Sequence, residues 1–293
     1  MLSIFSLPTA PPSFETVIAL GVFDGVHIGH AALLCETARR AKALGIKAAV
    51  FTFSDFFKSK APLTDKEERF ALMEALGIEV VFTVSFDFVK DLSPAAFVKD
   101  ILQGTCRARL AACGFNFHFG KNAEAQAEDL VRLLPGSFVM PAVYAEGAPV
   151  SSSRIRLLLE QGKVEEAASL LGRPYSVLSP VVYGKGLGNE MGFPTANMKP
   201  KTLLPAPGVY ETGVQIGEKT FAAITDVGTR PTVEGEGEVR METHIPSFSG
   251  DLYGKELRVC FIRRLREEKK FKTLAALQAQ LKKDIASIGA KKG

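Results

Sequence analysis

The sequence predicts two domains of different class, an α/β unit on a parallel sheet followed by a small antiparallel β unit that ends in a helix. Three observations carry this. In the first half, apolar runs of strand length alternate with segments of helical periodicity. From Pro174 the texture changes to short segments rich in Val, Tyr and Thr, separated by glycine and proline turns, as in a small barrel or sandwich. Residues 273–288 then restore helical spacing. A chain of 293 residues is long enough for two cores, and the boundary is placed near Arg173, giving domains 1–173 and 174–293.

The elements follow in order. Residues 16–23 form an apolar strand, 30–44 a helix and 46–53 the next strand. Thr64, with Glu67 three residues on, has capping-box spacing and opens a helix. Residues 79–86 make a third strand, and Ser93-Pro94 is an N-cap and first-turn pair for a helix to Gln103. Short strands at 109–113 and 138–143 are followed by helices at 152–161 and 164–171, the last ending at Gly172. This βαβα rhythm implies a parallel sheet covered by helices on both faces, which binds ligands at the carboxyl ends of its strands.

Composition narrows the function classes. A hydrophobic content of 46% with 23% charge excludes a disordered chain. Residues 1–150 hold 14 Lys/Arg against 16 Asp/Glu, and the remainder holds 22 against 16. The basic excess near the C-terminus reads as a solvated helical face; without interleaved stacking aromatics it does not predict nucleic-acid binding. Cys35, Cys106, Cys113 and Cys260 lack metal-ligand spacing and are expected to be buried, reduced thiols. The N-terminal apolar run is broken by prolines and has no basic leader, and no window is long enough to cross a membrane. A soluble, cytoplasmic protein is expected.

Two glycine-rich signatures bring phosphate chemistry into view. GVFDGVHIGH, from Gly21 to His30, follows the first strand. Gly21 and Gly25 permit a tight turn, Gly29 opens the helix without bulk, and the helix N-terminus offers free N–H groups to an anion. His27 and His30 flank Gly29, so both imidazoles can face that anion, protonated or as N–H donors, and stabilise charge on a pentacoordinate phosphorus and on leaving pyrophosphate. The second signature, GKGLGNEMGFPTAN, begins at Gly184; Gly186 and Gly188 complete a loop able to wrap phosphates, and Gly192 and Pro194 lead into Thr195 and Asn197. Thr195 and Asn197 alternate on one strand face and present two neutral oxygens to a hard cation such as Mg²⁺.

The first motif resembles the nucleotidylyltransferase superfamily, which transfers an adenylyl group to a phosphate or carboxylate. Its second phosphate-binding element has a counterpart in Ser151-Ser152-Ser153-Arg154-Ile155-Arg156, where the hydroxyls of Ser152 and Ser153 can bind phosphate and Arg156 can pair with a phosphate oxygen. GFPTAN, with DVGTRPTV from Asp226 and METHIPSFSGDLYGK from Met241, resembles riboflavin kinase. Together, over nearly all of residues 15 to 285, the chain is similar to the bifunctional prokaryotic riboflavin kinase/FMN adenylyltransferase family.

That resemblance implies a nucleotidylyltransferase-type doubly wound sheet followed by a six-stranded Greek-key barrel with a terminal helix. It implies riboflavin, FMN and ATP as ligands, Mg²⁺ as the ion accompanying ATP, and neither nucleic acid nor membrane as a partner. By position it makes Glu242 the kinase base and Thr195 and Asn197 the Mg–nucleotide contacts. It also implies nucleotide or flavin contacts from Gly21, Phe23, Asp24, Gly25, Gly29 and Asn116. Departures from the family pattern are the segment Thr52 to Phe57, which has neither proline nor histidine, His118 for arginine, a loop at 121–125 without glycine, Asn189 for arginine and Asp226 for asparagine. The first three lie in the amino-terminal half. They leave a monofunctional kinase as one alternative, and a flavin-binding regulator as another.

Overall fold

The computed structural model describes residues 2–54, 61–183, 193–230, 238–269 and 271–288. The chain divides into two compact units, Met1–Pro62 with Lys66–Ser152 and Leu63–Asp65 with Ser153–Gly293.

The first unit starts with β1 (Ser3–Ser6), β2 (Thr16–Leu20), α1 (Ile28–Leu44), β3 (Lys47–Phe53), α2 (Lys66–Ala75) and β4 (Val80–Val84). Two short helices follow, α3 (Phe86–Val89) and α4 (Pro94–Ala96), and α4 runs on into a π-type turn of helix over Phe97–Thr105. Then come β5 (Ala108–Gly114), the two-residue ladder of β6 (His118–Phe119) and β7 (Ala125–Gln126), α5 (Ala127–Leu133) and β8 (Phe138–Met140). A hairpin of β9 (Tyr144–Ala145) and β10 (Ala148–Pro149) completes the unit.

Its main sheet has the order β1-β4-β3-β2-β5-β8, with every pairing parallel. Alternate residues of the central strands enter opposite cores. Val17, Ala19, Val50 and Val81 pack with Leu33 and Leu34 of α1, while Ile18, Leu20, Phe51 and Phe82 pack with Val98, Ile101 and Leu102. Both faces are thus covered, as the βαβα rhythm predicted. The order reverses direction at β2, so the crevice between the carboxyl ends of β2 and β5 is the switch point where such sheets bind ligands.

Several expectations shift in detail. β1 was not foreseen, because its four residues are mostly exposed and precede Pro8. The capping-box start at Thr64 is replaced by a helix that begins at Lys66; Leu63 and Thr64 are buried instead, and burial overrides the local cap. Ser93 does cap its helix, accepting from the Ala96 N–H at 3.2 Å. The strand at 138–143 stops at Met140, before Pro141. Cys106 and Cys113 are buried, and burial pushes both thiols up to about 12. Cys35 is exposed and Cys260 half-buried, so the expectation of four buried thiols is corrected.

The second unit carries α6 (Ser152–Glu160, from Ser153 on), α7 (Val164–Leu171) and six strands: β11 (Tyr175–Val182), β12 (Thr195–Met198), β13 (Gly208–Ile216), β14 (Lys219–Arg230), β15 (Glu238–His244) and β16 (Glu256–Arg266). They close an antiparallel barrel in the order β11-β12-β15-β14-β13-β16. Since β12 lies beside β15 rather than β13, the chain crosses the β13–β15 meander in Greek-key fashion. Tyr175, Val177, Tyr210, Val259 and Phe261 are buried in it, and α7 packs on β11 and β16. A chain of hydroxyls also crosses its interior, with Thr225 bonded to Thr212 at 2.8 Å and to Thr243 at 2.9 Å. The closing helix α8 (Leu274–Ser287) is capped by Thr273 and pinned by the Arg266–Asp284 ion pair at 2.9 Å. No described helix is long and apolar enough to cross a membrane.

Candidate active sites

GVFDGVHIGH occupies the turn from β2 into α1, at the switch point. The turn is strained: Phe23, Val26 and Gly25 all have positive φ, at 57°, 39° and 81°. For a β-branched residue such as Val26 this is a true outlier. Burial of Phe23, Asp24, Val26 and His27 holds the turn in this shape. Gly21 is required because the Phe23 ring folds over it, and a Cβ would meet that ring at 3.1 Å. The Val22 carbonyl accepts from Thr52 Oγ1 at 3.2 Å and from Arg69 Nη1 at 3.4 Å, which ties the turn to β3 and α2.

The two histidines act as one assembly. His27 is the N-cap of α1, and its Nδ1 accepts from the His30 N–H at 3.2 Å, so its exchangeable proton resides on Nε2. The rings stack with centroids 3.6 Å apart and planes 15° from parallel. A Cβ on Gly29 would lie 3.2 Å from the His27 ring, so the glycine makes room for the stack. Burial, with the His27 ring alongside, holds His30 well below the usual histidine range. Of the two forms expected, His30 is therefore neutral near pH 7. Its Nδ1 is buried and has no hydrogen-bond partner among the described residues, and such a buried polar atom calls for an explanation.

Ser152, the last residue of the first unit, donates its hydroxyl to the Asp24 carbonyl of the turn at 2.9 Å. Asn116 is exposed in the turn after β5, the strand beside β2. Ser153 and Arg156, both on α6, belong to the second unit.

In that unit the register assembles the other site. Thr195 pairs with His244, and Asn197 pairs with Glu242. Glu242 in turn stands opposite Asp226 on β14. Ala196, Thr225 and Thr243 are buried between these positions, so Thr195, Asn197, Glu242 and Asp226 lie on the barrel's outer face. The Pro194 carbonyl accepts from His244 Nδ1 at 2.8 Å and fixes the entry into β12. Gly184, Gly186, Gly188 and Gly192 lie outside the described residues.

Sequence reasoning missed Arg240, whose Nη1 donates to Glu242 Oε1 at 2.9 Å and whose Nη2 is 3.7 Å from Asp226 Oδ2. Its spacing of two from Glu242 was visible, but the approach of Asp226 is not local. Asp226 is raised to about 6, chiefly by burial and then by the Glu268 and Glu242 carboxylates, against the pull of Arg240 and Arg266. Among the described residues no group of three or more His, Cys, Asp or Glu is arranged to hold a metal ion. The hydroxyl and amide oxygens of Thr195 and Asn197 are instead of the type that suits Mg²⁺ shared with nucleotide phosphates, since that ion takes few protein ligands.

A phosphate-type turn at a parallel-sheet switch point, and a carboxylate beside neutral oxygens on a barrel, define a two-site enzyme of nucleotide chemistry. Comparison with known proteins agrees. A riboflavin kinase family model matches residues 171–291, and an FAD synthetase model matches residues 11–154. A bifunctional riboflavin kinase/FMN adenylyltransferase from Listeria monocytogenes is 33% identical over 92% of this chain and 90% of its own length. Its counterpart from Pseudomonas fluorescens is 34% identical over 94% and 92%. A solved structure described as a macrolide-efflux protein from Streptococcus pneumoniae has a TM-score of 0.90 at 29% identity, over 97% of this chain and 98% of that one. The chain belongs to the bifunctional riboflavin kinase/FMN adenylyltransferase family.

Proposed function

We propose that the chain makes FAD in two ATP-dependent steps, the first on the barrel and the second at the β2–α1 turn. In the first, the ribityl 5′-hydroxyl of riboflavin attacks the γ-phosphorus of ATP, its proton passes to Glu242, and ADP leaves with FMN as product. Phosphoryl transfer needs mainly positioning and charge neutralisation, with modest help from a base. Thr195 and Asn197 would hold the Mg–nucleotide beside Glu242. Mg²⁺, when bound, supplies charge neutralisation at the phosphates. The observation that supports this step is the Asn197–Glu242 pairing, which sets a carboxylate and a carboxamide side chain on one rung.

In the second step an oxygen of the FMN phosphate attacks the α-phosphorus of a second ATP, and pyrophosphate leaves. The phosphate is already ionised near pH 7, so no strong base is required. His27 offers its Nε2–H, and His30 works as a neutral partner rather than a cation, so the pair orients the phosphates and stabilises charge by hydrogen bonding. Gly21, Phe23, Asp24, Gly25 and Gly29 shape the backbone cradle. Ser152 and Asn116 add contacts to phosphate or flavin; for Ser153 and Arg156 a phosphate contact is what the family resemblance implies. The division of labour is placed near Arg173, supported by family matches that end at 154 and begin at 171.

Purified protein incubated with riboflavin, ATP and Mg²⁺ is expected to yield FMN and then FAD on chromatography. FMN accumulating with no FAD would overturn the second step and leave a monofunctional kinase.

A further inference from the structure

The outer barrel face holds a charge arrangement that the two-step reaction does not by itself require. Glu242 and Asp226 stand directly opposite one another on β15 and β14. On an antiparallel pair, like charges in that relation repel across about 5 Å. Arg240 lies on the same face, two residues before Glu242, and its guanidinium reaches both, at 2.9 Å from Glu242 and 3.7 Å from Asp226. Opposite Arg240 is Gly228, where a third carboxylate, that of Glu268, fills the space a Cβ would take. Glu242 thus sits in a strongly acidic neighbourhood with the guanidinium between it and its nearest competitor. The side chains of Arg240, Glu242 and Asp226 remain 36%, 26% and 32% exposed, so the site is open to a ligand.

An isolated surface pair of this exposure would do little. Here two carboxylates share one guanidinium. We propose that Arg240 is a positioning residue for phosphoryl transfer, offsetting Asp226 and holding the Glu242 carboxylate on the rung it shares with Asn197. Without Arg240, repulsion from Asp226 turns Glu242 away from the attacking hydroxyl. With Asp226 neutral, that repulsion is absent and Arg240 becomes largely dispensable. The inference rests on the reading of Glu242 as the kinase base.

The test is a double-mutant cycle on riboflavin phosphorylation by the full chain. R240Q is expected to lower kcat about tenfold while KM for riboflavin and ATP stays within about twofold, because the lost interaction acts in the transition state. In the D226N background the same substitution should cost less than about threefold. Equal losses in both backgrounds, a change in KM alone, or no loss would each overturn the proposal; a merely structural arginine would not be rescued by D226N. If R240Q fails to fold, R240K serves: an ammonium engages one carboxylate, so a loss of a few-fold is expected that D226N removes, and persistence of that loss overturns the proposal. E242Q separates the two readings. If E242Q leaves phosphorylation intact, the base assignment itself fails; if E242Q slows it and R240Q does not, only the role of Arg240 fails.

Discussion

The turn between β2 and α1 holds its histidines with strained backbone and burial, whereas the barrel presents Thr195, Asn197 and Glu242 on regular strands at its surface. In the turn, Phe23 and Val26 adopt positive φ, His27 is 6% exposed, and its ring lies against His30. Such outliers cost on the order of 1–3 kcal/mol each and persist only where surrounding packing over-determines them. On the barrel the arrangement comes from register: Asn197, Glu242 and Asp226 share one row across three strands. The first arrangement suits a site that must cradle phosphates with backbone, and the second suits one that must present a base to a hydroxyl.

That contrast can be broken at its supports. Thr225 is the middle of the buried hydroxyl chain behind the Asp226–Glu242 row. Thr225→Val leaves the hydroxyls of Thr212 and Thr243 without their shared partner, and a loss of about 2 kcal/mol is expected in denaturant titration of the barrel unit. An unchanged midpoint would show that the chain is not a structural support. In the turn, Gly29→Ala pushes a methyl to 3.2 Å from the His27 ring. FAD formation from supplied FMN should fall about tenfold, with riboflavin phosphorylation unaffected. If both activities hold, the histidine stack does not matter to catalysis.

The smallest effect is electrostatic, and it has opposite sign in the two regions. His30 is held below its usual range by burial, so the unfolded chain takes up a proton that the fold resists. Stability from His30 is present above about pH 6.5 and falls below it, by no more than about 1.4 kcal/mol per pH unit. Asp226 is raised to about 6, so the folded barrel takes up a proton sooner than the unfolded chain and gains stability as pH falls from about 6 towards 4. The stability difference between variant and parent should therefore grow as pH falls for His30→Gln and shrink as pH falls for Asp226→Asn. Differences that change with pH in the same direction would contradict this electrostatic account.

Both regions were partly legible in the sequence, for reasons that match how they are built. Strain restricts residue choice, so the glycines and histidines of GVFDGVHIGH were visible as a pattern; the stack follows from His27 capping the helix and folding its ring back over His30, three residues on. Alternation along β12 likewise revealed that Thr195 and Asn197 share a face. Non-local pairing was hidden. Nothing near Glu242 announces that the β14 register sets Asp226 against it, or that Arg240 reaches both. The edge strand β1 was missed for the same reason, since four mostly exposed residues become a strand only by pairing with β4, far away in sequence. Tertiary burial of Leu63 and Thr64 likewise displaced a helix start that local capping spacing favoured.

The central claim, two separable chemistries on two differently built sites, is tested most directly by Glu242→Ala. With riboflavin, ATP and Mg²⁺, FMN formation should fall at least about a hundredfold, as expected for loss of a base. With FMN supplied instead, FAD formation should proceed at the parental rate. Loss of both activities in a folded variant, or survival of phosphorylation, would contradict the account.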